Sequence, residues 1–431
     1  MLNTLKIGLL GVGNVGLGVV SILDRNADLI EKRTGKRIII SKALVRASGK
    51  KRDLPSHITL TESIDDIVND PDISIVVEAL GGEYPAFDYI EKALKNKKFV
   101  VTANKEVVSK HKQYFFELAK QNGVDIYFEA SVGGGIPLIR SLKVGYAANN
   151  IQQLYGILNG TTNYILTQIA EKNLEFNVAL KAAQDLGFAE ADPTMDVSGL
   201  DAAYKLVILA AVGFKADITI KDVYYEGITA VGLNDIVYAK EMGYAIKLLA
   251  IGKRYENDKM SFKVHPTLVP LTHPLAGVRN ELNAVFIVGD QVGESMLSGK
   301  GAGGAPTGSA VVSDIIDIAF DTEARAGNKR NLEDQISKVN LVPHDETESQ
   351  FYIRLLLADT PGVLAKVTAI LAQQSISVLK LIQKGEDASR NEAEAVIITH
   401  SVQEKKMTQA IQQLKEQGAI KSLISVFRVG L

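Results

Sequence analysis

The sequence predicts an α/β protein built in three parts: a doubly wound parallel sheet first, an α+β middle, and a small β-α-β-β-α-β unit last. Three observations carry this reading. Short apolar runs alternate with amphipathic stretches through the first 130 residues, the pattern of parallel strands joined by crossover helices. From residue 151 that alternation is lost. After a polar, charged stretch at 321–350 the strand and helix patterns restart in the ferredoxin-like order.

Residues 5–10 form an apolar strand that ends at glycine, and 14–30 read as a helix with Val15, Val19, Ile22 and Leu23 near helical spacing. An isoleucine-rich strand follows at 37–45, then a short helix at 63–68 and a strand at 73–78. Helix 89–95, strand 99–102, helix 106–121 and strand 125–129 continue the alternation. In the middle, 151–158 and 253–270 are strand-like. Helical stretches are expected at 162–171, 178–186, 200–212 and 233–242, with another at 310–320 after the glycine-rich run 299–308. The last part reads as strand 351–358, helix 362–373, strands 376–383 and 393–400, helix 403–417 and strand 422–429. Domains are therefore expected at 1–130, 131–320 and 351–431, joined by a linker at 321–350. The segment 305–320 is open to packing back on the first domain.

Composition narrows the class. With 431 residues, two or three domains are expected. Hydrophobic residues make up 46% and charged residues 23%, enough for a sizeable core. The 48 basic and 50 acidic residues nearly balance, so neither nucleic acid nor a membrane surface is an expected partner. The start, Met1 to Gly8, is too short and too quickly glycine-rich for a signal peptide. No run reaches the roughly 18 apolar residues of a membrane span. A cytoplasmic protein is expected. The absence of cysteine excludes disulfides and thiolate chemistry. The six histidines lack clustered ligand spacing, so no zinc is expected.

Gly11-Val12-Gly13-Asn14-Val15-Gly16 follows the first strand and opens the first helix, the setting in which GxGxxG binds a dinucleotide. Gly11 permits the turn, Gly13 lets backbone approach a pyrophosphate, and Gly16 allows close helix packing. The helix N-terminus offers its N–H groups to the phosphates. An acidic residue usually ends the second strand to hold a ribose hydroxyl. Here Arg46 stands just past that strand, with Lys50, Lys51 and Arg52 beyond. Cations suit a 2′-phosphate, so NADP is favoured, with NAD as the alternative and a merely solvated basic loop as the plain reading.

Lys105, in Thr102-Ala103-Asn104-Lys105, stands at the carboxyl end of a parallel strand, where ligands of such sheets bind. In the stretch from Glu190 to Lys205, Asp192-Pro193 marks a turn and a helix begins near Ser198. Asp201 and Lys205 then lie four apart on one face, beside the apolar Leu206, Val207, Ile208 and Leu209. A carboxylate there can hold a desolvated ammonium poised for proton transfer. Spacing alone fits an ordinary helix ion pair as well.

Glu190, Asp196, Asp201 and Lys205 stand at the spacing of the homoserine dehydrogenase signature, which the chain resembles. Asn159-Gly160-Thr161-Thr162-Asn163-Tyr164-Ile165-Leu166, Thr102-Ala103-Asn104-Lys105 and Glu129-Ala130-Ser131-Val132-Gly133-Gly134-Gly135-Ile136-Pro137 are similar to that family too. The resemblance runs from the start to about Phe320. It implies a Rossmann-type first domain, a middle domain for substrate binding, catalysis and dimerisation, and interconversion of L-homoserine and L-aspartate 4-semialdehyde. Lys205 would be the proton donor and base, Lys105 a second catalytic or cofactor-contacting lysine, and Glu190 the holder of the substrate amino group. Asp201 would contact substrate and orient Lys205, and Asp196 would support the pocket. Gly187 and Gly303 would approach the cofactor. A monovalent cation, sodium, would sit at Glu129, Val132, Gly134 and Ile136, where a carboxylate and carbonyls make a hard oxygen cage. A homodimer or homotetramer is implied. No kinase-type domain precedes the fingerprint, so a monofunctional enzyme is expected.

Leu357-Ala358-Asp359-Thr360-Pro361-Gly362-Val363-Leu364 resembles the strand–loop–helix of ACT domains, which bind amino acids between paired copies. Asp359, Gly362, Val363 and Leu364 would hold an effector. As a downstream product, L-threonine is the expected one. Ser375-Ile376-Ser377 departs from the asparagine that many effector-binding members carry there, which leaves the effector's identity open. Two rivals stand beside this reading: another NADP enzyme acting on an amino-acid-derived aldehyde or imine, similar to aspartate dehydrogenase, and a non-catalytic sensor of cofactor and amino acid.

Overall fold

The computed structural model describes residues 3–47, 54–324, 336–387, 391–416 and 420–431. Along the chain lie β1 (Asn3–Leu10), α1 (Asn14–Arg25), α2 (Ala27–Thr34), β2 (Lys36–Leu44), β3 (Thr59–Thr61), α3 (Asp65–Val68), β4 (Ile73–Glu78), α4 (Ala86–Lys95), β5 (Phe99–Thr102), α5 (Lys105–Asn122), β6 (Ile126–Tyr127) and α6 (Leu138–Arg140). Then come β7 (Ile151–Ile157), α7 (Gly160–Lys172), α8 (Phe176–Asp185), α9 (Thr194–Val197), α10 (Leu200–Leu209), β8 (Tyr224–Tyr225), α11 (Leu233–Glu241), β9 (Tyr244–Arg254), β10 (Met260–Pro270), β11 (Leu282–Gly289), β12 (Gly293–Lys300) and α12 (Gly304–Ala324). The tail holds β13 (Glu348–Ala358), α13 (Val363–Gln373), β14 (Val378–Asp387), β15 (Glu392–Thr399), β16 (Val402–Gln403), α14 (Glu404–Lys415) and β17 (Ile420–Val429).

The chain divides into two compact units and passes between them several times. The first holds Met1–Ile151, Tyr204–Lys221 and Gly289–Lys338. The second holds Gln152–Ala203, Asp222–Val288 and Val339–Leu431.

In the first unit six strands pair in the order β3-β2-β1-β4-β5-β6, all parallel. The order reverses between β1 and β4, so a crevice opens past their carboxyl ends, the binding place of doubly wound sheets. The expected parallel sheet is present, with one break. The helix expected over 14–30 ends at Arg25 and restarts at Ala27, because Asn26 takes φ −104° and ψ 16°. The strand expected at 125–129 is only Ile126–Tyr127, and a 3-10 turn takes Glu129–Ser131.

In the second unit the strands run β11-β7-β9-β10-β17-β13-β15-β14. The strand expected at 253–270 is β10 with only the last two residues of β9, the two joined as a hairpin that turns where Asn257 takes φ 56°. β9 is buried on both faces along its centre, so residues 244–252 show no alternation that marks a strand. The tail has the expected β-α-β-β-α-β order, yet it is no separate sheet: β17 pairs parallel with β10 through Thr267–Arg428 and Leu268–Val429. The tail keeps its own core, with Phe351, Ile353, Leu355, Val367, Leu371, Ile397 and Leu414 packed together. The stretch expected as a linker is partly structured, since α12 reaches Ala324, β13 begins at Glu348, and Leu341 bridges Met260. Residues 325–335 lie outside the described residues.

Candidate active site

The nucleotide turn is built from three close approaches. Gly11 has φ +94°, and a Cβ there would lie 2.9 Å from the Ala79 carbonyl oxygen. Gly13 caps α1 with extended backbone, and a Cβ on it would meet nothing within 4 Å, leaving room for a phosphate at the helix N-terminus. A Cβ on Gly16 would stand 2.2 Å from the Gly11 carbonyl oxygen, so this glycine seats the helix on the turn itself. Val12, Asn14 and Val15 complete the turn. α12 lies equally close to α1: a Cβ on Gly18 would fall 2.0 Å from the Gly304 oxygen, and one on Gly304 would fall 2.6 Å from the Asn14 oxygen. Gly303, at the start of α12, therefore stands beside the fingerprint. In sequence, Gly18 and Gly304 carry no signal beyond the four-residue spacing of Gly304 and Gly308. Arg46 is exposed just past β2, whereas Lys50, Lys51 and Arg52 lie outside the described residues.

The crevice floor is set by Glu78 and Thr102, paired residues at the carboxyl ends of β4 and β5. Glu78 is fully buried, accepting from the Thr102 hydroxyl at 2.5 Å and the Leu80 amide at 2.7 Å. Burial pushes its carboxyl above the ordinary value, against the pull of those hydrogen bonds. The Thr102 hydroxyl accepts from the Asn104 amide at 3.0 Å, and the Asn104 side chain caps α5 by accepting from the Val107 amide at 3.2 Å. Lys105 is thus the first residue of a firmly capped helix. Glu78 is a site-building residue that sequence reading missed, because a lone acid at a strand end carries no spacing signal. One turn further along α5, Lys110 bonds Glu106 and Glu83 at 2.7 and 2.6 Å and lies 5.7 Å from the centroid of the Tyr204 ring. Burial alone would lower its pKa, but the two carboxylates raise it, so it stays charged. The contact brings α5 against the turn of α10 that carries Lys205.

Glu129 is tied into its loop on both sides. Its Oε1 and Oε2 accept the Ile139 and Arg140 amides at 2.8 and 2.7 Å, and its own amide donates to Asp314 at 2.9 Å. The carboxylate therefore ties the loop to α6. The Ile136 carbonyl accepts from the Leu138 amide at 2.8 Å, and the backbone of Gly134 lies against Gly301, with a Cβ 2.5 Å away if one were added. Burial raises the pKa of both Glu129 and Asp314, and the Glu129 charge raises that of Asp314 further.

In the second unit one amide gathers two of the expected carboxylates. Asn159, at the start of α7, donates through Nδ2 to Asp196 Oδ1 at 2.7 Å and to Asp201 Oδ2 at 2.8 Å. Its Oδ1 accepts the Thr162 amide at 2.8 Å, fixing the side chain as a helix cap. Asp201 is 4% exposed. Lys205 follows one turn later in α10 and is half-buried. Glu190 is exposed, on the loop after α8, where Gln184 Nε2 holds its carbonyl at 3.2 Å. Gly187 ends α8 with open space about it.

In the tail, Asp359, Gly362, Val363 and Leu364 line one cavity of about 290 Å³ with Gln383 and Ala393. Gln383 Nε2 donates to Asp359 Oδ1 at 3.2 Å.

Residues 11–129 match the family model described as homoserine dehydrogenase, NAD binding domain, and 137–316 match that of homoserine dehydrogenase. The chain belongs to the homoserine dehydrogenase family. Residues 351–419 match the ACT domain. Homoserine dehydrogenase of Bacillus subtilis is 40% identical over 433 residues, 99% of each chain. The crystal structure of a homoserine dehydrogenase from Thiobacillus denitrificans superposes with a TM-score of 0.94 at 40% identity, covering 99% of this chain and 98% of that one. A hyperthermophilic archaeal homoserine dehydrogenase, solved in complex with NADPH, gives a TM-score of 0.62 at 25% identity over 76% of this chain and all (100%) of that one. The resemblance read from the motifs is borne out. Homoserine dehydrogenases are NAD(P)-dependent oxidoreductases, and likeness over the full length leaves the sensor and aspartate-dehydrogenase-like readings without support. No helix among the described residues is long and apolar enough to cross a membrane.

Proposed function

We propose that the chain interconverts L-homoserine and L-aspartate 4-semialdehyde with NADP as the preferred cofactor and NAD as the second. The observation that carries this is the Asn159 clamp, which sets Asp196 and Asp201 together one helical turn before Lys205. The nicotinamide supplies hydride transfer when bound. Lys205, as the neutral amine, takes the proton from the homoserine hydroxyl in oxidation and, as the ammonium, returns it to the carbonyl oxygen in reduction, where its positive charge stabilises the developing alkoxide. Asp201, buried and bonded by Asn159, orients that lysine and meets the substrate. Asp196 completes the clamp, Glu190 holds the substrate ammonium, and Lys105 assists from the capped start of α5.

Gly11 to Gly16, Gly187 and Gly303 receive the dinucleotide. Arg46 and the NADPH bound to the archaeal relative favour the 2′-phosphate. Glu129, Val132, Gly134 and Ile136 would hold a sodium ion through carboxylate and main-chain oxygens, hard donors that suit a hard cation. The Asp359–Leu364 cavity takes a small amino acid, L-threonine, in a homo-oligomer that pairs the tails.

The test is nicotinamide reduction with L-homoserine, with NADP and NAD supplied separately and sodium present. Turnover that favours NADP and falls at least 100-fold in Lys205→Ala supports the assignment. Equal turnover in Lys205→Ala removes that lysine from the chemistry. Activity indifferent to millimolar threonine removes the effector.

A further inference from the structure

The stretch between Asp196 and Asp201 is backed by a second piece of chain, Glu226-Gly227-Ile228. The Ile228 amide donates to the Val197 carbonyl at 2.9 Å. A Cβ on Gly227 would lie 1.9 Å from that carbonyl oxygen and 2.6 Å from Ser198 Cα, and one on Gly199 would lie 2.8 Å from the Glu226 oxygen. The two backbones touch without side chains between them. A shift of 226–228 is therefore a shift of 197–199, and so of the two carboxylates on either side.

Glu226 is itself held from the tail. Arg428, on β17, donates through Nη1 to Glu226 Oε1 and Oε2 at 2.7 and 2.6 Å. Its Nε and Nη2 donate to Glu404 Oε1 and Oε2 at 3.1 and 2.9 Å. The Tyr224 hydroxyl donates to the Glu226 carboxylate as well. The side chains of Arg428 and Glu404 are 9% and 3% exposed, so these are buried charges whose geometry is fixed by mutual pairing.

We propose that Arg428, acting through Glu226, is a positioning residue for the Asp196–Asp201 carboxylates, so that the ACT module completes the substrate site. This rests on the reading that those carboxylates serve the substrate. The same seam supplies an internal control. Arg354 of β13 pairs with the buried Asp235 of α11, with Nε 2.7 Å from Oδ1, and that pair stands on α11 and not on the 226–228 stretch.

The experiment compares Arg428→Gln, Arg428→Lys, Glu226→Gln and Arg354→Gln in the full chain, each with its melting temperature. Arg428→Gln and Glu226→Gln are expected to lower kcat/KM for L-homoserine at least tenfold while KM for the nucleotide stays within twofold. Arg428→Lys recovers part of the loss. Arg354→Gln lowers the melting temperature and leaves KM for L-homoserine within twofold. Amide exchange across 194–201 quickens in Arg428→Gln and not in Arg354→Gln, a readout that needs no turnover. Unchanged exchange and kcat/KM in folded Arg428→Gln overturn the proposal, as does the same KM rise in Arg354→Gln. Failure of the wild type to turn over L-homoserine overturns the substrate reading instead, and the exchange comparison still decides the positioning.

Discussion

Two glycines of one fingerprint are expected to fail in opposite ways when each is changed to alanine. At Gly13 the backbone, φ −85° and ψ −163°, suits any L-residue, and a Cβ would touch nothing within 4 Å. Loss of a helix cap of this kind costs a few tenths to about 1 kcal/mol, or about 1–4 °C in melting temperature for a unit of this size. The new methyl occupies the space open to a phosphate. Losing one charge-assisted hydrogen bond to a phosphate removes about 1.5–3 kcal/mol, which weakens nucleotide binding roughly 10- to 150-fold. At Gly16 a Cβ would stand 2.2 Å from the Gly11 carbonyl oxygen, inside any tolerable contact. Overpacking of this sort costs about 1–3 kcal/mol, and the melt falls by roughly 2–12 °C even without nucleotide. Thermal melts of the nucleotide-free proteins and fluorescence titration with NADPH separate the two effects. Wild-type NADPH affinity in Gly13→Ala would refute the placement of the pyrophosphate, and a Gly13→Ala melt as low as that of Gly16→Ala would refute the packing argument.

Asn159→Ala removes the shared donor of Asp196 and Asp201 and is expected to cut kcat/KM for L-homoserine at least 100-fold, each hydrogen bond to a charged group being worth about 1.5–3 kcal/mol. Steady-state kinetics showing less than a fivefold loss would deny the clamp its role. Asp235→Ala leaves the buried Arg354 with Glu394 alone, at 3.3 Å, and should cost up to about 3 kcal/mol, whereas the double change with Arg354→Met costs less than the sum of the two singles; additive urea-melt energies would contradict this. Glu78 is held above its ordinary value of 4.5 by burial. Below that pH both states carry the proton; as pH rises through the raised native value the unfolded state ionises first, so stability is lost. Wild type should therefore lose stability relative to Glu78→Gln as pH climbs from about 4.5, and a pH-independent difference in urea melts would contradict the burial argument.

The first unit was readable in sequence because its strands are short, apolar and separated by amphipathic helices. β4 and β5 were found at their observed limits, 73–78 and 99–102. β9 and β11 are mostly apolar and are buried on both faces along their centres, so neither carries the alternation that marks a strand. The site was legible where residues cluster in sequence, as from Asp196 to Lys205. Asn159 stood in a quoted motif, but its function depends on meeting residues 37 and 42 positions away. Glu78, Glu226 and Arg428 gave no local signal at all, since what distinguishes each is the partner that folding brings to it. Glu129 stood in an evident motif, but that its carboxylate accepts the Ile139 and Arg140 amides could be seen only in the fold.

β17 lies between β10 and β13, although it follows both in the chain. During synthesis, every strand flanking that slot leaves the ribosome before the strand that fills it. Until residue 429 has emerged, β10 and β13 each present an unpaired edge, one before the tail and one within it, and open edges invite pairing with other chains. Newly made copies are therefore most exposed to misassociation in the interval before the last strand inserts, and a peptide matching residues 420–429 is expected to capture chains stalled there.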